Sequence, residues 1–364
     1  MLKYRTLSSC LALALLLVSM TQSIDSVNGH ETKGSEKKGF ENGGRNSTNG
    51  GKKSAGGDIL NFQLTPDMKT EDFDKPDSAL AKQIKFVVKG QNLDNSKFLA
   101  IENSNGVTEM KIRITDKSIF VPGDDVAKTQ NGFRRTDVIP AVDTSKAFSG
   151  ITTFRHSIRL DPKHKLDLRH NYLLASIETP DGNHVYDVVY GTEFKSENDV
   201  CLADKLTSKQ LRIRDFGTNI LHAVNMEEDK TYHIAVTVDW TKNTLAVSLA
   251  IGNEEPKVVS KEKANDSKLK IDDSSKLEFH CQLIKLLLPY ICELLIAIKR
   301  NLMLKSNIFL VYSPCPDKND PIEARGDVPH KGVQEKDIEE SIFFSKIGIT
   351  SGSKNTCKFK KLEQ

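Results

Sequence analysis

Two acidic residues, Asp137 and Glu178, stand in surroundings that predict different pKa values for their carboxyl groups. Glu178 follows the apolar run 173–177 (LLASI), and a carboxyl group at the edge of such a strand is partly desolvated, which raises its pKa. Asp137 follows Arg134 and Arg135, whose positive charge favours the ionised carboxylate. Such a pair is suited to general acid–base catalysis, with Glu178 as the acid and Asp137 as the base, or with the two roles reversed.

The segments that would position these residues alternate between apolar and polar side chains, as β-strands do. The clearest pair is 232–240 (YHIAVTVDW) and 244–250 (TLAVSLA), which predicts a hairpin with a turn at 241–243. Further strands are predicted at 84–89, 110–114, 154–160, 172–177, 184–189, 209–214 and 341–349. Roughly a dozen short strands without alternating helices predict an all-β fold, an antiparallel β-sandwich or jelly roll.

Residues 283–312 (LIKLLLPYICELLIAIKRNLMLKSNIFLVY) are far more apolar than their surroundings. Lys285, Pro289, Glu293 and the pair 299–300 interrupt them before 18 clean residues accumulate, which argues against a transmembrane helix. We interpret the segment as an insertion foreign to the domain, such as translated intron sequence. A genuine buried helix or hairpin and an association with a membrane remain the alternatives.

The N-terminus has the pattern of a secretory signal. Residues 1–23 combine a charged start (Lys3, Arg5), the apolar run 11–18 and small residues at 21–23. Residues 24–57 are rich in Gly, Lys and Ser and predict a solvated linker. The resulting organisation is a signal peptide, a linker, one domain at 58–350 and a tail at 351–364.

Cysteines and sequons fit a secreted chain. Six cysteines are present, and Cys10 leaves with the signal, so the remaining five allow at most two disulfides and one free thiol. Asn46 and Asn265 begin N-glycosylation sequons. The formal net charge of +3 includes two charges of the signal, so the remainder is nearly neutral and nucleic acid is not an expected partner.

Five segments carry a resemblance to a known family. They are 118–123 (SIFVPG), 131–140 (NGFRRTDVIP), 153–162 (TFRHSIRLDP), 171–179 (NYLLASIET) and 232–240. Together they resemble glycoside hydrolase family 131, the secreted β-glucanases of fungi and similar organisms. The resemblance covers about 58–349 apart from the apolar insertion. It implies a β-jelly roll with an open cleft across one sheet, and hydrolysis of β-1,3-, β-1,6- or β-1,4-linked glucans.

The resemblance also implies roles for individual residues. It selects Asp137 and Glu178, 41 positions apart, as the catalytic carboxyl pair, although an acidic residue taken alone is usually a surface charge. His233 is a third catalytic candidate, whose simpler interpretation is a histidine hydrogen-bonded within the sheet. Sugar-binding candidates are Arg134, Arg135, Tyr172 and Tyr186. Only one arginine should reach the cleft, because successive strand residues face opposite sides, and tyrosines of this kind are more often core.

Three positions depart from the family pattern. The first acid is usually Glu, and Asp137 is one methylene shorter, so its carboxylate is drawn back by about an ångström, a displacement that can reduce the rate on the order of 100-fold. Ser176 and Ile177 stand where the family often has Trp-His before the second acid.

We therefore predict a secreted, monomeric glycoside hydrolase that cleaves β-glucans by an inverting mechanism with two carboxylates. Neither a metal nor an organic cofactor is expected, nor stable membrane insertion. The alternative is a non-catalytic, glucan-binding or wall-associated jelly-roll protein. A third possibility is a damaged gene product in which 283–312 prevents the last strands from folding.

Overall fold

The computed structural model describes residues 57–104, 106–193, 208–271, 273–286, 327–330, 334 and 336–352. The predicted signal, nearly all of the linker, residues 287–312 and most of the tail lie outside the described residues. The alternating segments form the following strands: β1 (Asp58–Asn61), β2 (Ile84–Val88), β3 (Leu99–Ser104), β4 (Val107–Thr115), β5 (Arg134–Pro140), β6 (Ile151–Leu160), β7 (Asn171–Glu178), β8 (His184–Gly191), β9 (Gln210–Asp215), β10 (Ile220–Asn225), β11 (Thr231–Asp239), β12 (Thr244–Ile251), β13 (Lys257–Ala264), β14 (Glu278–Lys285) and β15 (Glu339–Ser351).

Helical structure among these residues is limited to single turns. One α-helical turn, α1, spans Thr144–Ala147. Short 3₁₀ turns lie at Thr70–Asp74, Ala81–Gln83, Asn95–Lys97, Pro122–Asp124, Val126–Lys128 and Ser274–Lys276. Within the described part of the chain, none of these helices has the length and apolar character needed to cross a membrane.

The strands form two antiparallel sheets. The first sheet has the order β13-β12-β11-β6-β15-β4-β3, with β1 also paired to β15. The second sheet has seven strands in the order β10-β9-β8-β7-β14-β5-β2. The predicted antiparallel β-sandwich is therefore confirmed, and so is the β11–β12 hairpin, in which Asp239 pairs with Thr244.

The hydrophobic core lies between the sheets because alternate side chains of each strand point inward. Phe154 of β6 occupies its centre, with ring centroids 5.3 Å from Phe279, 5.8 Å from Phe148 and 6.3 Å from Tyr186. Cys281, whose thiol is free and buried, lies in the same core, while the other cysteines lie outside the described residues.

The first three residues of the apolar segment 283–312 are part of the β-sandwich, contrary to the predicted boundary. Leu283, Ile284 and Lys285 belong to β14, between β5 and β7, and all three are buried. An insertion foreign to the domain therefore cannot begin at 283, because these residues complete a central strand of the second sheet.

The Asn265 sequon is also a poor glycan site in the folded protein. Asn265 is buried, and its amide nitrogen donates to the carbonyl oxygen of Val185 at 2.9 Å. Its amide oxygen accepts from the backbone N–H of Phe216 at 3.0 Å. A glycan on this nitrogen would break an interior contact, so the prediction of glycosylation at this position does not fit the fold.

A buried ion pair joins the two sheets. Lys285 Nζ of β14 lies 2.5 Å from Glu340 Oε1 of β15, and the hydroxyl of Tyr172 donates to Glu340 Oε2 at 2.8 Å. Burial raises the pKa of Glu340, and the charge of Lys285 opposes that rise. Removing one partner would leave the other charge buried and uncompensated.

We expect Lys285→Met to lower the free energy of unfolding by about 3–5 kcal/mol, the usual penalty for breaking a buried pair from one side. Urea unfolding of the wild type and the variant measures this difference. The double variant Lys285→Met/Glu340→Leu is the control, and it should recover much of the loss because no charge then remains buried. A single variant as stable as the wild type would contradict the assignment.

Candidate active site

The outer face of the second sheet gathers charged side chains from four neighbouring strands. Val138, Ile177 and Cys281 point into the core. Because side chains alternate along a strand, Asp137 of β5 and His280 of β14 point to the opposite face. The strands β8, β7, β14 and β5 are consecutive in the sheet, so residues far apart in sequence meet on this face.

His280 lies at the centre of this group. Its Nδ1 is 3.7 Å from Asp137 Oδ2. Its Nε2 is 3.8 Å from Glu178 Oε2 and 3.7 Å from Glu278 Oε2. The imidazole therefore separates Asp137 on one side from the two glutamates on the other.

The surrounding carboxylates hold a proton on this histidine. Burial lowers the pKa of His280, but interactions with Asp137 and Glu278 and the charge of Glu178 outweigh burial and raise the pKa to about 9. At neutral pH His280 is thus an imidazolium, with one N–H directed to each side. It can stabilise the ionised carboxylate of Asp137, and that of Glu178 once Glu178 has given up a proton.

Asp137 is fully buried beneath these groups. Burial raises its pKa, but the charge of Arg135, together with His280, outweighs burial and holds the pKa below its ordinary value. Arg135 contacts Asp137 through two nitrogens, with Nε 3.4 Å from Oδ1. Arg135 also donates to Gln130 and lies 5.7 Å from the ring centroid of Phe120. Asp137 is consequently an ionised carboxylate whose position is fixed by its ion pair with Arg135.

Glu178, by contrast, is open to solvent. It ends β7, and about a third of its side chain (32%) is exposed. His184 of β8 stands next to it, with Nε2 4.0 Å from Glu178 Oε2 and Nδ1 3.4 Å from Asp187 Oδ2. Arg214 of β9 forms two hydrogen bonds to Asp187, of 2.8 and 2.7 Å. Burial raises the pKa of Asp187, but Arg214 and His184 outweigh burial and lower it to about 2.

Glu278 pairs directly with Glu178 across the β7–β14 boundary. Lys85 Nζ lies 2.7 Å from Glu278 Oε1, and it reaches this position from β2, where the pairing register shifts between Ile84 and Phe86. Interaction with His280, followed by that with Lys85, lowers the pKa of Glu278 to about 2. Glu278 is therefore an ionised carboxylate that interacts with Lys85 and His280, and 32% of its side chain is exposed.

A buried carboxylate and an exposed carboxyl group, separated by a protonated histidine, can perform acid–base chemistry on a substrate laid across this face. The family model of the glycoside hydrolase 131 catalytic N-terminal domain matches residues 63–354. The chain belongs to glycoside hydrolase family 131. No curated protein matches the chain.

Two solved structures of this family share the fold. One is the catalytic domain of the glycoside hydrolase family 131 protein from Coprinopsis cinerea, with 12% identity, a TM-score of 0.51, and 81% of this chain and 94% of that chain covered. The other is a GH131 β-glucanase catalytic domain from Podospora anserina, with 14% identity, a TM-score of 0.51, and coverage of 79% and 92%. These similarities support the jelly-roll architecture of this family 131 chain.

His233 is not part of the group on the outer face. It lies on β11 of the first sheet, where it pairs with Ser157 of β6. Its Nδ1 is 2.6 Å from Ser157 Oγ, and its Nε2 is 2.9 Å from the carbonyl oxygen of Gly252. The structure thus places His233 as a histidine hydrogen-bonded within the sheet, so a catalytic role beside Asp137 and Glu178 does not fit.

Tyr172 and Tyr186 do not line the site either. Both are fully buried in the core. The hydroxyl of Tyr172 lies within hydrogen-bond distance of Glu340 Oε2 and of the backbone carbonyl oxygen of Asp167, and the ring of Tyr186 packs near Phe154. Their rings face inward, where no sugar can stack on them.

The two arginines have different surroundings. Arg135 shares a face with Asp137 and forms the ion pair described above. Arg134 donates to the backbone carbonyls of Asn131 and Phe133, at 3.1 and 2.8 Å. A direct contact of either arginine with sugar stays a prediction.

His280, Glu278, His184 and Asp187 were not found by the sequence interpretation. His280 and Glu278 stand two positions apart in the segment 278–282 (EFHCQ), where polar residues alternate with apolar ones. This alternation is the sequence feature that could have indicated them, because it places both polar side chains on the face opposite the core. They lie close to Asp137 because β14 is next to β5 in the sheet. This order of strands cannot be deduced from the distances between residues in the sequence.

Proposed function

We propose that this chain is a secreted β-glucanase that hydrolyses its substrate with Glu178 and Asp137. The observation that carries the proposal is the placement of these two carboxyl groups on either side of His280, on one face of the second sheet. Membership of family 131 supports glycoside hydrolase function, and one structural neighbour is described as a β-glucanase. Secretion follows in this proposal from the predicted signal at 1–23.

Glu178 is the proposed general acid. Its exposed carboxyl group can reach a glycosidic oxygen that lies over the sheet, which is the first requirement for proton donation. His184 contacts it from β8 and is itself oriented by Asp187, so the side chain of Glu178 is bordered by polar groups on both sides. His184 is a positioning residue in this proposal.

Asp137 is the proposed general base. Its ionised carboxylate has the charge state that activation of water requires. The imidazole ring of His280 separates Asp137 from Glu178. Its two nitrogens lie 3.7 Å from Asp137 Oδ2 and 3.8 Å from Glu178 Oε2. This arrangement supports the wider separation of about 6.5–9.5 Å that inverting enzymes use.

The burial of Asp137 sets a limit on its activity. Its side chain is not exposed at all, in keeping with a carboxylate drawn back by one methylene relative to the family's usual Glu. We expect Asp137→Glu to raise the rate of hydrolysis about 10-fold by bringing the carboxylate toward the substrate, since small displacements of a catalytic group have large effects. Initial rates of reducing-sugar release measure the gain.

Asp137→Asn is the matched control, because it keeps the size of the side chain but removes its basicity, and it should abolish activity. If Asp137→Asn hydrolyses glucan at the wild-type rate, Asp137 is not the base. Glu278, the other ionised carboxylate beside His280, then becomes the candidate.

A second candidate function is glucan binding without catalysis. The same burial of Asp137 favours it, because a carboxylate without exposed surface has no direct contact with solvent water. In that case the outer face would still bind a glucan chain, and the wild type would release no sugar.

The test of the proposed function is hydrolysis by the purified secreted protein. A β-1,3/1,6-glucan and a β-1,4-glucan serve as substrates, and NMR follows the first anomer released. The proposal expects release from at least one substrate and inversion of configuration. Retention would overturn the assignment of Asp137 as base. Binding without release from a folded protein would favour the second candidate, and neither binding nor release would overturn both.

A further inference from the structure

An open depression adjoins the second sheet at its β2 edge. Its volume is about 570 Å³, within the range of small-ligand sites. Phe86 and Phe120 supply aromatic rings to its lining, and Lys85, Gln91 and Asp124 supply polar groups. The depression lies outside the group centred on His280, although Lys85 belongs to both through its ion pair with Glu278.

The register of the sheet aligns this depression with the active site. Gln282, Asp137 and Val88 pair in one row across β14, β5 and β2. The next outward-facing row, two residues along each strand, contains His280, Ile139 and Phe86. Phe86 therefore stands two strand spacings, about 10 Å, from His280 along a line perpendicular to the strands.

Phe86 is unusual because its large apolar side chain faces outward and is 51% exposed. Single exposed apolar residues are common on protein surfaces, but an aromatic ring in the lining of a depression that also contains polar groups offers a flat apolar surface for a ligand. Sugar rings have an apolar face that packs on aromatic rings and a rim of hydroxyl groups that forms hydrogen bonds. Gln91 and Asp124, which contact each other at 2.7 Å, supply a donor and an acceptor in the lining of the same depression.

Phe120 links the depression to the catalytic group from the other side. It lines the depression, while the Arg135 guanidinium packs over its ring and pairs with Asp137. A ligand in the depression would thus lie against Phe120, whose ring packs on the arginine that pairs with Asp137.

We propose that this depression is a sugar-binding subsite, in which one ring of a β-glucan chain extending from the active site stacks on Phe86. The proposal rests on the proposed function, because the chain must occupy the outer face of the second sheet. The subsite supplies the aromatic platform that Tyr172 and Tyr186 do not provide. Long oligosaccharides reach it, and short ones bound at Glu178 do not.

The test measures the binding of β-glucan oligosaccharides of increasing length by isothermal titration calorimetry. All proteins carry Glu178→Gln so that the ligands survive. Phe86→Ala should weaken the binding of the longest oligosaccharides about 10-fold, the effect of losing one stacking contact. It should leave the binding of the shortest ligands unchanged, and Phe86→Trp should retain or increase affinity for the long ones.

Val258→Ala is the matched control, because Val258 is an exposed apolar residue (62%) on β13 of the other sheet. It should change no affinity. If long oligosaccharides bind equally well to Phe86→Ala, the subsite is wrong while the proposed function stands. An equal loss of affinity for short and long oligosaccharides would also overturn the proposed subsite, because Phe86 would then affect binding at the active site itself. If no oligosaccharide binds to any protein and the wild type releases no sugar, both proposals fail.

Discussion

Glu178→Gln should reduce kcat for β-glucan hydrolysis at least about 1,000-fold, the size of effect expected when a general acid loses its proton. The amide has the shape of the carboxyl group but cannot donate a proton to a glycosidic oxygen in the same way. Because the substrate's other contacts remain, KM should change little. Steady-state kinetics on soluble oligosaccharides separate the two parameters.

Glu278→Gln is the matched control for this experiment. Glu278 lies opposite Glu178 on the neighbouring strand and is exposed to the same extent, 32%. Its carboxylate is held by Lys85 and His280, so its loss should lower kcat far less than the loss of Glu178. The reverse order of effects would move the acid role to Glu278 and contradict the assignment.

His280→Gln should lower kcat/KM about 100-fold, because the imidazolium is the group that contacts both proposed catalytic carboxyls. A neutral amide in its place cannot supply the positive charge that helps to keep Asp137 ionised and that stabilises Glu178 after proton donation. In the wild type, we also expect an additional decline of kcat/KM above about pH 9, where His280 loses its proton, beyond the decline that any enzyme with a carboxylic acid as general acid shows. The pH profile of His280→Gln should lack that additional decline.

The same histidine should appear in the pH dependence of stability. Its pKa is about 9 in the folded protein and 6.5 in its ordinary environment. The stabilisation that His280 contributes is therefore present in full below about pH 6.5 and is lost as the pH rises through 9. Urea unfolding of the wild type and His280→Gln at pH 6 and pH 9.5 measures it. A stability difference that grows with pH, or a pH–rate profile unchanged by the substitution, would contradict the charged state of His280.

The sequence predicts the β-sandwich well because its strands are defined by local alternation. The hairpin of β11 and β12 is the clearest case, since both strands are long and alternate strictly. Strands such as β1 and β3 are short and half-buried, so their pattern is too weak to recognise. The last residues of β14, Leu283–Lys285, belong to the predicted apolar segment as well, because a buried core strand and its apolar continuation look alike in sequence.

The candidate site is only partly visible in the sequence for a different reason. Asp137 and Glu178 are recognised through the family motif, and Arg135 through its proximity to Asp137. His280 is 143 positions from Asp137, and the two meet because β14 is inserted between β5 and β7. Nor does the sequence show on which side of the sheet each tyrosine lies. For Tyr172, the β7–β8 pairing register shifts between Leu173 and Ala175, so counting alternate residues back from Glu178 does not give the direction of its side chain.

The most direct test of the central claim is a crystal structure of Glu178→Gln with a bound β-glucan oligosaccharide. We predict that the sugar chain crosses the outer face of the second sheet, perpendicular to its strands. A glycosidic oxygen should lie near His280 and within hydrogen-bond distance of the amide group that replaces the Glu178 carboxyl group in this variant. A chain bound on the first sheet, or one that places no glycosidic oxygen near position 178, would contradict the account.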